Sequence, residues 1–401
     1  MPWWSAVQLA DGSGVRAGGL RTGLAASLIV LAACTSSTGT TGGPTQPGGP
    51  GSPTGKPTVP ALLASGQALP SGCADRHSEP TQTVAFVAEG RAWALDPSSD
   101  ALTCLFEVSD PGPFAWGPLG DRVLLGGLHM EAIGGQTLQA PLDVQPGPSA
   151  WGHPMGTAVA FVSGDGTELD KRYLDQKGIV DISPLHGVSY LSVTYHPSGL
   201  ALAFVAEREG RQSIWLSSNL GEDPKRLVFS NQGTEFGALE FSPDGRSLVY
   251  AAQHADGHPE VLALDLANRS FIRWLWRGDP GQQVLSVFQP PSRTGRFLGI
   301  TLGTSCDDGS AMVRGPDRKL IPVLPDASEP SRVLGWLDRT HVLVGAGGCG
   351  EQLDLSAFDV RTEASVPLVS GVIAAASRAP APPAPTSLPQ EVEGEVGSGV
   401  G

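Results

Sequence analysis

The sequence predicts an all-β body built from repeated four-stranded units, and three observations predict it. The 401 residues include 53 Gly and 35 Pro, a content that interrupts long helices and suits short strands joined by tight turns. Residues 241–252, FSPDGRSLVYAA, place a turn between an aromatic residue and an apolar run. The same arrangement recurs along the chain every 36 to 50 residues.

The unit can be justified strand by strand. Pro243 pre-sets φ for the first corner of a turn, Asp244 can bond its own backbone, and Gly245 tolerates a positive φ. These three residues therefore read as a structural reversal; the functional alternative would make Asp244 a ligand or an acid. An alternating strand follows from Ser247 to Tyr250. After the loop QHADGH come EVLALD, ending at Asp265, an Asx-type turn at Ala267–Asn268, and SFIRWLW from Ser270 to Trp276. The unit thus has four strands, a to d. Its relatives are WGPLGDRVLLGG from Trp116, WGHPMGTAVAFV from Trp151, YHPSGLALAFVA from Tyr195, FQPPSRTGRFLGI from Phe288 and WLDRTHVLVGAG from Trp336. The turn glycines Gly120, Gly156, Gly199, Gly245 and Gly295 are 36, 43, 46 and 50 residues apart. Strand-rich repeats of that length are the blades of a β-propeller. Strand b occurs seven times, at 84–88, 123–127, 158–162, 201–205, 247–251, 297–301 and 341–345. Seven blades are therefore expected, with six as the alternative if a blade near 128–186 is incomplete. The first b strand has no a strand before it, and GVIAAA (371–376) is an orphan at the other end. Pairing the two would close the ring and leave no free edge.

The aromatic residue, the Ser-Pro-Asp-Gly-Arg turn, the strand after it and a strand c ending in Asp (Asp96, Asp265, Asp359, with Ser217 in the same place) closely resemble the TolB-like, WD-type propeller repeat. The resemblance covers 83–376, is strong at 241–265 and degenerates near 288 and 336. TolB itself carries an α/β domain before its propeller; here a Gly/Pro-rich segment takes that place. In such repeats Trp116, Trp151, Tyr195, Phe241, Phe288 and Trp336 are expected to pack between blades rather than to stack on a ligand.

The rest of the chain divides accordingly. Arg16 and Arg21 precede LAASLIVLAA (24–33), an apolar run too short to span a bilayer but suited to a secretory signal. Leu31-Ala32-Ala33-Cys34 resembles the bacterial lipobox, in which the Cys becomes diacylated and forms the new N-terminus. Residues 1–33 are expected to be a lipoprotein signal peptide and Cys34 a lipid anchor in the cell membrane; an ordinary signal peptide is the alternative. Residues 1–15 are long for an n-region, so a start codon further in is expected. Residues 34–70 form a Gly/Pro/Ser/Thr-rich linker expected to lack a fold. Its 26 residues from 35 to 60 span roughly 30 Å as a flexible chain. The propeller is expected over 71–376, and 377–401 reads as a tail of linker-like composition.

Lys plus Arg number 26 against 40 Asp plus Glu, a net charge of -14, so nucleic acid is not expected as a partner. With Cys34 set aside, Cys73, Cys104, Cys306 and Cys349 remain; outside the cytoplasm four cysteines suggest two disulfides, with three pairings open. Cys306 and Cys349 both follow strand b of consecutive blades, and equivalent loops of adjacent blades share one rim. They are therefore expected to pair, leaving Cys73 for Cys104; free thiols on loops that point apart are the alternative.

The chain contains no G-x-S-x-G, H-E-x-x-H, P-loop or C-x-x-C pattern. His254 and His258 lie in a Gly/Asp/Pro loop. His153 and His196 each precede Pro in neighbouring a–b turns and read as turn residues, with a metal or proton site as the alternative. Cys306-Asp307-Asp308 reads as a solvated loop anchored by a disulfide rather than a cation site. No catalytic residue, metal or cofactor is assigned. The expected function is a tethered scaffold that binds an envelope protein, peptide or glycan. The alternative is a propeller hydrolase, lactonase or quinoprotein-like enzyme, which needs several carboxylates or histidines converging on the channel mouth.

Overall fold

The computed structural model describes Leu69, Cys73 and residues 82–378, with gaps at 100, 109–113, 121, 126–128, 133–145, 175–177, 231–232, 269–271, 292–296 and 325–328. The signal segment, Cys34, the linker other than Leu69, the turn at Gly295 and the tail from 379 lie outside the described residues. Among the described residues there is no helix.

The strands fall into sheets in chain order. The first holds β1 (Val84–Ala88), β2 (Arg91–Asp96) and β3 (Ala101–Glu107). The second holds β4 (Phe114–Trp116), β5 (Arg122–Leu125) and β6 (His129–Ala132). The third is β7 (Pro146–Trp151), β8 (Ala158–Ser163), β9 (Leu169–Tyr173) and β10 (Ile179–Asp181). The fourth is β11 (Ser189–Tyr195), β12 (Ala201–Arg208), β13 (Arg211–Ser218) and β14 (Lys225–Phe229). The fifth is β15 (Glu235–Phe241), β16 (Ser247–Gln253), β17 (Pro259–Asp265) and β18 (Ile272–Arg277). The sixth is β19 (Gln283–Phe288), β20 (Leu298–Gly303), β21 (Ser310–Arg314) and β22 (Leu320–Pro322). The seventh is β23 (Ser331–Trp336), β24 (His341–Ala346), β25 (Leu353–Asp359) and β26 (Ala364–Val372). The last strand, β27 (Ala374–Ser377), returns to the first sheet and pairs with β1. Among the described residues six sheets are four-stranded and the second is three-stranded; residues 133–145, which follow its third strand, lie outside them. Each run read as strand b coincides with a strand of one of these sheets, the second as far as Leu125, beyond which residues 126–128 lie outside the described residues, and the sixth from Leu298.

The first strands of neighbouring sheets approach one another, so strand a is innermost and the sheets are blades of a β-propeller. Both faces of a blade are covered by its neighbours, and this explains a departure from the sequence reading. The b strands do not alternate between core and solvent: β1 and β8 are buried at every position. What alternates is the seam. Val84, Phe86 and Ala88 pack towards the seventh blade, whereas Ala85 and Val87 pack towards the second. Each seam around the ring holds its own apolar cluster. Trp116, Trp151, Tyr195, Phe241, Phe288 and Trp336 are buried within them. Register shifts interrupt the a–b pairs of blades 3 to 7, while the b–c pairs run without them. Such bulges increase the local twist of a strand pair.

Closure differs from the sequence reading in its boundaries. Gly371 and Val372 complete β26, and the pairing with β1 runs from Val87–Ala374 to Val84–Ser377. The fold also extends past 376: Arg378 donates its N–H to the Thr83 carbonyl (2.8 Å) and its guanidinium to the carbonyls of Leu119 (3.1 Å) and Gln82 (3.2 Å). Side-chain polarity alone gave no reason to assign Ser377 and Arg378 to the ring. Their place follows from the backbone ladder and from the Trp116 ring, which the Arg378 guanidinium covers at 5.5 Å.

The structure bonds Cys73 to Cys104 and Cys306 to Cys349, with Cα–Cα separations of 5.1 and 5.2 Å. The first fastens the segment before the propeller to β3. The second links the b–c loops of blades 6 and 7 across 43 residues, and loop-closure entropy assigns a bridge of that span about 4 kcal/mol.

A chain truncated after Arg378 should keep the wild-type melting temperature. One truncated after Ile373 loses β27, its ladder to β1 and three buried alanines that serve two seams. It should be destabilised by several kcal/mol, a large part of the roughly 5–15 kcal/mol of an ordinary domain, and thermal melts of both chains with size-exclusion profiles measure the contrast.

Candidate functional site

The a–b turns form one rim of the ring, and local chemistry fixes their shape. In blade 5 the Ser242 hydroxyl donates to Asp244 Oδ1 (2.7 Å), which also accepts the Arg246 N–H (3.2 Å). Gly245 N–H returns to the Ser242 carbonyl (2.8 Å) at φ 71. Pro243, Asp244 and Gly245 thus stand in the reversal, with Asp244 engaged by the turn itself. The Asp residues that end strand c act alike: Asp96 accepts from Ser98 N–H (2.8 Å), Asp265 from Ala267 N–H (2.8 Å) and Asp359 from Arg361 N–H (2.8 Å).

The turns also touch their neighbours. Arg122 of blade 2 donates to the Gly156 carbonyl of blade 3 (3.3 Å). A Cβ on Gly156 would meet Pro118 of blade 2 at 3.0 Å, and one on Gly199 would lie 1.8 Å from the His153 carbonyl oxygen, so blades 2, 3 and 4 have their turns in direct contact. His196 bridges to blade 5: its Nε2–H donates to the Gly245 carbonyl (3.0 Å), and its ring stands edge-on to Phe241 at 5.0 Å. Its Nδ1 accepts from the Ser198 N–H (3.1 Å) and lies 2.7 Å from the Ser198 hydroxyl.

His153 and His196 therefore share one rim, as their spacing suggested, and both nitrogens of His196 are engaged within the turns. Burial holds both imidazoles below the usual histidine range, His153 at about 4, where the nearby His196 adds to the effect. His254 and His258 diverge: His254 Nε2 meets Glu260 Oε2 (2.9 Å), while His258 Nδ1 meets the Gly278 carbonyl (2.9 Å). Cys306, Asp307 and Cys349 bring ligand-type atoms within 4.8 Å of one another, but the two sulfurs are bonded together and Asp307 accepts the Cys349 N–H (2.8 Å). Asp308 caps Thr304 N–H (2.8 Å) and Ser305 N–H (2.7 Å).

Two features escaped the sequence reading. Glu240, on the innermost strand β15, accepts the Gln289 N–H of blade 6 at 2.9 Å, and burial pushes its carboxyl up to about 7. The other lies at the turn tips. Leu119 (47 % exposed), Met155 (56 %) and Leu200 (48 %) occupy the turns of blades 2, 3 and 4. Leu220 (48 %) stands beside them, because Asn219 N–H donates to the Leu200 carbonyl (3.0 Å) and Asn219 Nδ2 to the Gly199 carbonyl (2.6 Å). Of nine exposed large hydrophobic side chains among the described residues, these four share one arc of the rim. The signal was present in the sequence: GPLG and HPMG put an apolar residue where SPDG has Asp, and Leu200 stands where blade 5 has Arg246.

The depressed His153 pKa makes a pH prediction. A histidine that resists protonation when folded contributes stability above its unfolded pKa near 6.5, and that contribution is lost as pH falls towards about 4. Asp170 and Glu240, raised by burial to about 6 and about 7, act in the opposite direction over the same range. The readout is therefore the difference between wild type and His153→Gln in denaturant melts from pH 7 to pH 4. The wild type should lose ground to the variant by up to ~1.4 kcal/mol per pH unit.

No protein-family model matches the chain, and no curated protein sequence does. Solved structures do. The β-propeller domain of Cps50 (Swd1) from Myceliophteria thermophila matches with a TM-score of 0.52 at 12% identity, over 68% of this chain and 92% of that one. An oligogalacturonate lyase in complex with manganese matches with a TM-score of 0.52 at 14% identity, over 68% and 84%. TolB from Acinetobacter baumannii matches with a TM-score of 0.45 at 14% identity, over 75% and 68%. At these identities the likeness shows the fold alone: the chain is a β-propeller, of an architecture used by enzymes and non-enzymes.

Proposed function

We propose that this protein is a binding scaffold of the cell envelope, held at the membrane by lipid on Cys34, whose a–b rim engages a protein or peptide. The observation that carries the reading is the arc of Leu119, Met155, Leu200 and Leu220, exposed on turns that touch one another across three blades. A run of apolar tips on rigid, mutually packed turns suits a protein partner better than a glycan, which needs polar groups and aromatic faces. Binding is favoured over catalysis by the make-up of the innermost strands. Among the described residues only β15 contributes carboxylates there, Glu235 and Glu240, and Glu240 is engaged with Gln289. Two disulfides favour an oxidising, extracytoplasmic location.

The triple variant Leu119→Ser, Met155→Ser, Leu200→Ser tests the rim. Its melting temperature should match wild type, because all three side chains are exposed. Capture of a partner from detergent-solubilised envelope should fall about 100-fold, at roughly 1 kcal/mol per truncated contact. Equal capture of the same proteins by both would remove the rim from the interface. Anchoring has a separate test: Cys34→Ala should release the protein to the soluble fraction or leave an unprocessed precursor. Normal processing with full membrane retention would refute the lipid.

A further inference from the structure

The seam between blades 5 and 6 contains a largely buried guanidinium with no hydrogen-bonded counter-charge among the described residues. Arg314 ends β21 with 6 % of its surface exposed. Its Nε is fully buried and has no hydrogen-bond partner. Among the described residues its side chain forms no hydrogen bond or ion pair with a protein group. A guanidinium stays protonated in proteins, so burial cannot be relieved by losing the proton. An uncompensated buried charge is costly, and the charge-assisted bonds of an anion would offset that cost.

Two more guanidiniums stand at the same place. Arg314 lies opposite Leu298 and Leu320 in its sheet, and both pack in the apolar cluster between blades 5 and 6. Arg273 of β18 lies opposite Ala263, which belongs to the same cluster. Directly opposed residues share a sheet face, so Arg314 and Arg273 enter one seam from its two sides. Both stand at the c–d turn end of their strands. Arg318 occupies the β21–β22 turn there, its N–H on the Gly315 carbonyl (3.1 Å). Arg273 and Arg318 are exposed at that end of the seam, where Arg314 is buried. The acid nearby, Asp317, already accepts the Lys319 N–H (3.2 Å) and faces the Lys319 ammonium at 3.9 Å. Burial, then the charges of Arg318 and Arg273, lower the affinity of Arg314 for its proton, and Asp317 opposes them without reversing the direction.

We propose that this seam is an oxyanion-binding site that takes a tetrahedral, doubly charged group, phosphate or sulfate, with Arg314 beneath it and Arg273 and Arg318 around it. Three guanidiniums outnumber the acids described there, Asp317 and Asp265, whose carboxylates accept backbone N–H groups of their own turns, and the excess of positive charge suits a phosphate or sulfate. In a chain of net charge -14 such a concentration is a local inversion of sign. The site is separate from the apolar arc, so its failure and that of the rim reading are independent.

The test uses the whole chain at fixed ionic strength, with sodium chloride exchanged for phosphate, sulfate or glycerol 3-phosphate. Phosphate and sulfate should raise the melting temperature progressively with concentration, as a ligand of the folded state does, and calorimetry should give a dissociation constant. Binding of glycerol 3-phosphate equal to that of phosphate would show that the site takes an esterified group; binding of the inorganic ions alone would show that it takes the free ion. Arg314→Met should abolish the shift and, without anion, should be as stable as wild type or more so. The double variant Arg273→Ala, Arg318→Ala alters exposed residues only and should weaken binding about 10-fold or more, as loss of charge-assisted hydrogen bonds does. The proposal is overturned if none of the three anions shifts the melting temperature beyond chloride, or if the double variant binds as wild type does.

Discussion

Every blade has two apolar faces, and neither is buried until both neighbours are in place. This constraint governs the rest of the structure. An open row of such blades would leave the clusters around Phe86 and Val87 facing water on one side. Closure by β27 removes both ends at once, because its alanines serve the seams on either side of blade 1. Small residues suit that position: β27 is the innermost strand of its blade, where neighbouring a strands come close.

The seams are apolar in depth, but many carry a directed polar contact near the a–b rim. Arg378 reaches from blade 1 to Leu119 of blade 2, and Arg122 from blade 2 to Gly156 of blade 3. His196 reaches from blade 4 to Gly245 of blade 5, and Glu240 of blade 5 receives Gln289 of blade 6. Trp336 Nε1 donates across to the Phe288 carbonyl (2.9 Å), and the Ser377 hydroxyl lies 3.4 Å from the Leu334 carbonyl. Apolar contact alone tolerates sliding, whereas a buried donor aimed at one carbonyl does not. These contacts fix the angular register of the blades and the relative placement of the turn tips.

The two rims differ in chemistry. On the b–c side the turns of blade 1 and of blades 3 to 7 carry exposed acids: Glu89, Asp165, Glu209, Asp256, Asp308 and Glu351. On the a–b side, blades 2 to 4 present Leu119, Met155 and Leu200 instead. The c–d turns on that side still carry exposed acids, Glu222, Asp223, Asp317 and Glu363, so the difference lies in the a–b tips themselves.

The strands, the turns and the repeat can be read from local residue patterns. Each is local: Pro243, Asp244 and Gly245 set a reversal by their own torsions and bonds, and an Asp at the end of strand c sets another. The pairing of Cys306 with Cys349 was also legible, because equivalent loops of neighbouring blades must lie side by side. The tertiary structure alone decided where the residues left over from these turns would meet. That the tips of blades 2, 3 and 4 form one arc depends on contacts between turns 36 to 43 residues apart. That Arg273 and Arg314 face each other across a seam depends on cross-strand registers no spacing reveals. That the ring closes at Ser377 rather than at Ala376 depends on the ladder to Val84. Local torsions and hydrogen bonds are encoded within a few residues, whereas juxtaposition across a ring exists only once every blade has been buried by the next.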